Sequence, residues 1–153
     1  VTFVSVLHGT MKATTGVVTY KDTARDLVLI RLQGRNPYPP AEISFEGLPA
    51  LGENIVVAGY ARQPLDVPNI ARGVITSLRE SVISDLWFLE TDAWVSVGSF
   101  GSPLLSLQGD VLGIVVNSTS LMIGSKLENH AYAINIAELR DFLELSGFAS
   151  SSP

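Results

Sequence analysis

Acyl transfer through a protein side chain needs a nucleophile held on a sharp turn, a base to take its proton and an acid that orients the base. The run Gly98-Ser99-Phe100-Gly101-Ser102-Pro103-Leu104 has the small-residue composition of such a turn, with a phenylalanine between two hydroxyls. A benzyl group has no proton to lose and no lone pair, so covalent chemistry through position 100 is closed. The same run is also ordinary turn chemistry between two strands. Partners for a hydroxyl are few. Asp26 stands before the apolar run 27–32, and the chain has two histidines, His8 and His130. His8 falls at an expected hairpin tip and His130 in a loop entering the last strand, and both are read as surface or turn residues.

Composition removes several other chemistries. With no cysteine there is no disulfide, no thiolate nucleophile and no Cys-based zinc site, and the redox compartment stays open. Glu128 with His130 is a single pair in a polar loop, too little for a metal, and no glycine-rich phosphate loop accompanied by a lysine occurs, so neither a metal nor a cofactor is expected. The net charge of −5 and scattered basic residues argue against a nucleic-acid partner. No apolar run approaches the length that spans a bilayer, so membrane insertion is not expected. Asn117-Ser118-Thr119 matches a glycosylation acceptor at a strand end.

These residues must be positioned mainly by strands. At 153 residues and 46% hydrophobic content the chain can fill one core or two small lobes. Residues 2–7, 14–20 and 27–32 read as three consecutive strands. Gly34-Arg35-Asn36-Pro37-Tyr38-Pro39-Pro40 resists both helix and central strand and reads as a linker. About six further strand candidates follow, then a helix over 136–145 with an apolar stripe, Asn135 as N-cap and Gly147 as stop. The expected division is 1–33, 34–40, 41–148 and a loose Ser-rich tail at 149–153.

In order along the chain, several segments resemble the HtrA/Deg branch of the trypsin-like serine proteases. Asp22-Thr23-Ala24-Arg25-Asp26-Leu27-Val28-Leu29-Ile30 is similar to that branch's "DPRSDIALIQI". Leu51 to Tyr60 and Ala71 to Leu78 are similar to "GD.V.AIGNP" and "SGIVSAL". Thr91-Asp92-Ala93 leads into 98–104 as "TDA" leads into "GNSGGPL", and Gln108-Gly109-Asp110 and Gly113-Ile114 continue as a hairpin turn and "GI". Ala131-Tyr132-Ala133-Ile134-Asn135 resembles the closing "GFAIP".

The resemblance implies an all-β fold: a trypsin-like double β-barrel with an incomplete first barrel of about three strands, a complete second barrel and a C-terminal helix. It makes Asp26 the relic of the triad aspartate and puts Phe100, non-functional, at the nucleophile position and in the former reaction pocket. It assigns the oxyanion hole to the backbone N–H groups of Gly98 and Phe100, and peptide pairing to the strand residues Val115, Val116 and Asn117. The family's histidine segment, a "TNxHV"-like strand end before the aspartate, has no counterpart here. Three strands do not close a barrel, so the first lobe is expected to be completed by another segment, a second polypeptide or a second copy. The sequence therefore leans away from catalysis and toward a pseudoprotease that binds a peptide or protein partner or serves as a scaffold. The alternatives are a fragment of an active endopeptidase with a histidine supplied upstream and Ser99 or Ser102 as nucleophile, and an architectural module of a larger protein. Family members often continue into a PDZ domain, for which the tail would be a linker.

Overall fold

A computed structural model describes residues 3–8, 12–34, 41–43, 47–60, 69–81, 84–116 and 130–148. Runs of β-branched and apolar residues broken by glycine and Asx turns give the strands. These are β1 (Phe3–His8), β2 (Lys12–Asp22), β3 (Leu27–Leu32), β4 (Asn54–Gly59), β5 (Asn69–Glu80), β6 (Trp87–Thr91), β7 (Pro103–Leu105), β8 (Val111–Val116) and β9 (Ala131–Asn135). A 3₁₀ turn covers Val97–Ser99, and the helix α1 covers Ile136–Leu145.

Strands β1, β2 and β3 form an antiparallel three-stranded sheet, and the other six close into a barrel in the order β4-β5-β6-β9-β8-β7. This is the expected architecture, a complete barrel beside a partial lobe. His8 is the last residue of β1, opposite Lys12, and residues 9–11 lie outside the described residues. Also outside are 35–40 of the linker, Asn117, Glu128 and the tail 149–153.

Strand alternation decides which side chains fill the barrel. Ile55, Val57, Ile75, Leu89, Leu104, Val115 and Ala133 come from all six strands and pack together inside it. Residues of opposite parity, Phe88, Val116, Tyr132 and Ile134, face outward and are covered by Leu139 and Phe142 of α1 and by Leu27 of β3. Fully burying side chains of this size stabilises by about 1.5–3 kcal/mol each before entropy is counted, so one outer layer ties the helix and the partial lobe to the barrel. An ion network adds to this junction. Arg25, in the β2–β3 turn, bonds Asp22 at 2.8 Å and Glu138 of α1 at 3.0 Å. Glu138 in turn accepts from the Trp87 N–H at 3.2 Å.

Candidate functional site

The chain leaves β6 at Thr91 and passes through the 3₁₀ turn into a tight reversal before β7. The Ser102 N–H donates to the Ser99 carbonyl at 3.0 Å, Phe100 has φ −64° and ψ 135°, and Gly101 has φ +84°. These are the angles of a type II turn, whose third position calls for glycine. Residue 100 is therefore the second residue of the turn, with its side chain projecting outward. Phe100 is 41% exposed, so its ring does not fill a pocket as expected from the sequence.

The two neighbouring hydroxyls point the other way. Ser99 and Ser102 are 6% and 7% exposed. The Ser99 Oγ accepts from the Ser96 N–H at 3.3 Å, and Ser102 packs against Gly59, where a Cβ would fall 1.9 Å from its Oγ. Neither is presented to solvent as a nucleophile must be.

Backbone groups around the turn are mostly committed. A 3₁₀ ladder closes each N–H onto the carbonyl three residues back, as Ser99 does onto Ser96 at 2.8 Å. Phe100 follows as the C-cap residue of that turn. The Val115 N–H donates to the Ser102 carbonyl at 2.9 Å, and its carbonyl accepts from the Gly101 N–H at 2.7 Å. Val115 thus locks the turn and has no backbone group left for a peptide. The alternation of strand hydrogen bonds turns Val116 toward its partner Tyr132 in β9, and Asn117 lies outside the described residues.

Asp26 is exposed in the β2–β3 turn with φ +56°, the left-handed region that aspartate tolerates, and its carboxylate makes no hydrogen bond or ion pair among the described residues. Asp22 organises that turn instead: its Oδ1 accepts from the N–H groups of Ala24 at 2.9 Å and Arg25 at 3.1 Å. Burial opposes ionisation of Asp22, but the hydrogen bonds and charge of Arg25 hold its carboxyl below the usual range.

A barrel strand, a 3₁₀ turn, a type II reversal at residue 100 and a strand that locks it together make up this segment. The family model of the trypsin-like peptidase domain matches residues 1–114. The chain belongs to the trypsin-like peptidases. Among members of known sequence it is similar to the Do-like 14 protease of Arabidopsis thaliana, 29% identical over 65% of this chain and 24% of that protein. It is also similar to the mitochondrial serine protease HTRA2 of Bos taurus, 29% identical over 83% of this chain and 27% of that one. The chain thus spans about a quarter of the length of these relatives. The inactive form of Rv3671c from M. tuberculosis superimposes with a TM-score of 0.74 at 21% identity, covering 93% of this chain and 69% of that one, a likeness of fold.

In this trypsin-like chain His130 stands just before β9, as its position suggested, with its side chain 27% exposed, but it also has a buried partner. Its Nδ1 hydrogen-bonds Glu90, a carboxylate whose side chain is 1% exposed in the barrel wall, and Arg79 donates to the other oxygen of Glu90 at 2.7 Å. Burial works against the charge of Glu90, yet the bonds from His130 and Arg79 prevail and hold its carboxyl below the ordinary value. Forty residues separate the two partners, and only the β6–β9 register joins them, so no local signal announced the pair.

Proposed function

We propose that this domain is a non-hydrolytic trypsin-like peptidase homologue that works by holding a peptide or protein partner. One observation carries the reading: at the apex of the nucleophile turn stands an exposed phenylalanine, while both adjacent serines are buried. An exposed aromatic ring on a rigid turn is an anchor of the kind that binding surfaces use, burying a large area with few rotatable bonds. Of the two histidines, His130 bonds Glu90 in the barrel wall and His8 ends β1. Loss of a triad nucleophile costs about a millionfold in rate in the subtilisin case, so what remains of such a scaffold is its capacity to bind.

Treatment with a fluorophosphonate probe, read by intact mass and peptide mapping, tests this. No adduct is expected, and Phe100→Ser is expected to stay unlabelled because a hydroxyl without a base remains protonated. An adduct on Ser99 or Ser102 of the unaltered protein overturns the reading and favours an active peptidase.

A further inference from the structure

The outer wall of the barrel carries a charged cluster that the reading above leaves without a task. Leu78 packs toward the barrel interior, so Arg79, the next residue of β5, points outward, and the β6–β9 register sets Glu90 opposite Tyr132 on the same wall. Glu90 uses both carboxylate oxygens there. Its Oε1 meets the His130 Nδ1, and its Oε2 accepts from the Arg79 Nε–H at 2.7 Å. Apolar packing commonly stabilises a fold as well as a buried ion pair does, so stability alone gives no reason for an anion with two such partners.

The carboxylate fixes what the two outer groups offer. Glu90, held ionised, can only accept, so the His130 Nδ1 carries the proton of that bond and Nε2 is the nitrogen left open. Arg79 engages Glu90 through Nε, its two terminal nitrogens have no partner among the described residues, and its side chain is 46% exposed. Both groups bond the two oxygens of one carboxylate, which holds them side by side. Tyr132, also beside Glu90, is pushed up by burial first and then by the Glu90 charge, so it stays a neutral phenol. Glu80 alternates to the opposite face of β5.

The ligand that suits this pair is an oxyanion for the guanidinium that can also give a proton to Nε2. An ionised carboxylate only accepts, whereas hydrogen phosphate has acceptor oxygens for Arg79 and a P–O–H for a neutral Nε2, and it accepts from Nε2 once the ring is protonated. We propose that Arg79 and His130 form a binding site for a phosphate group, with Glu90 as the positioning residue behind them. The inference goes beyond the partner binding proposed above and does not depend on it.

The test uses the whole chain and the imidazole resonances, His130 being told from His8 by a His8→Gln variant. Millimolar sodium phosphate or sodium sulfate is added at constant ionic strength, at about pH 5.5 and about pH 8, on either side of the range in which histidine ordinarily titrates. Phosphate is expected to move the His130 signal at both pH values and sulfate, which has no proton to give, at the lower one only, with His8 still throughout. Arg79→Gln is expected to weaken phosphate binding about tenfold, as loss of a charge-assisted hydrogen bond does. A capped phosphoserine peptide that moves the His130 signal while its serine counterpart does not assigns the site to a phosphate carried on a chain, and a response to inorganic phosphate alone assigns it to the free ion. If phosphate leaves His130 in place, or sulfate matches it at about pH 8, the phosphate site is wrong. The comparison of the two ions needs only the unaltered residues at the site, so it decides the matter even where Arg79→Gln does not fold.

Discussion

Gly59 and Ser102 are opposite each other where the end of β4 meets the turn at residues 99–102, and their contact decides how that turn sits. A Cβ at residue 59 would lie 1.9 Å from the Ser102 Oγ and 2.9 Å from its Cβ, while the nearest backbone atom, the Ser99 Cα, would be at a comfortable 3.8 Å. The clash is thus with one side chain. Gly59→Ala is expected to destabilise the fold by about 2 kcal/mol or more, measured as a shift in urea midpoint at constant slope, since overpacking in a buried site forces strain. Adding Ser102→Gly removes the obstructing atoms, and the double variant is expected to regain most of that loss. A double variant no more stable than Gly59→Ala alone would show that backbone, not Ser102, demands the glycine. The burial of Ser102 against Gly59 is also the local reason that this hydroxyl is withdrawn from solvent.

The elements were more legible in the sequence than the contacts between them. Three strands, six strands and a helix with its cap and stop all follow from alternation, helical spacing and glycine placement, which are local properties of the chain. Asn135 shows where such reasoning ends. Its Oδ1 caps α1 through the N–H groups of Ala137 at 2.8 Å and Glu138 at 3.0 Å, as the sequence suggests, but its Nδ2 also donates to the Trp87 carbonyl at 2.6 Å. That second bond joins the helix start to β6 and depends on barrel closure, as does the Glu90–His130 pair, while Arg25–Glu138 depends on the partial lobe packing against α1. The commitment of the Val115 backbone was hidden for the same reason, because it is set by where the turn lands on β8. Asn135→Asp, which keeps the cap and deletes the donor, separates the two roles. Asn135→Ala is expected to cost about 2–3 kcal/mol, more than a cap alone, with Asn135→Asp intermediate in thermal unfolding. Equal losses for both variants would mean that the cap contributes nothing beyond the bond to Trp87.

For the molecule as a whole, two carboxylates set the acid limit, one in each lobe. Asp22 holds the Arg25 turn of the partial lobe, and Glu90 holds Arg79 and His130 on the barrel. Both carboxyls are lowered in the folded chain from ordinary values of 3.8 and 4.5, burial opposing and the hydrogen bonds to their partners prevailing. A group with a depressed folded value contributes stability that is present above its unfolded value and lost as pH falls through the folded one. Stability is therefore expected to be level with respect to these groups near neutrality and to decline from about pH 4.5 downward. The lobes separate in their response. Arg25→Ala strips Asp22 of its partner and loosens the tie to Glu138, so it is expected to speed amide exchange in β2 and β3 at neutral pH while β4 to β9, closed on themselves, keep their protection. In that variant the share of acid sensitivity due to Asp22 shrinks to what its backbone N–H bonds sustain and the share due to Glu90 remains, so urea midpoints measured from pH 7 to 3 are expected to fall less steeply than for the parent. Identical pH slopes for the two proteins, or uniform loss of protection across the barrel, would show that Arg25 does not join two separately stable parts.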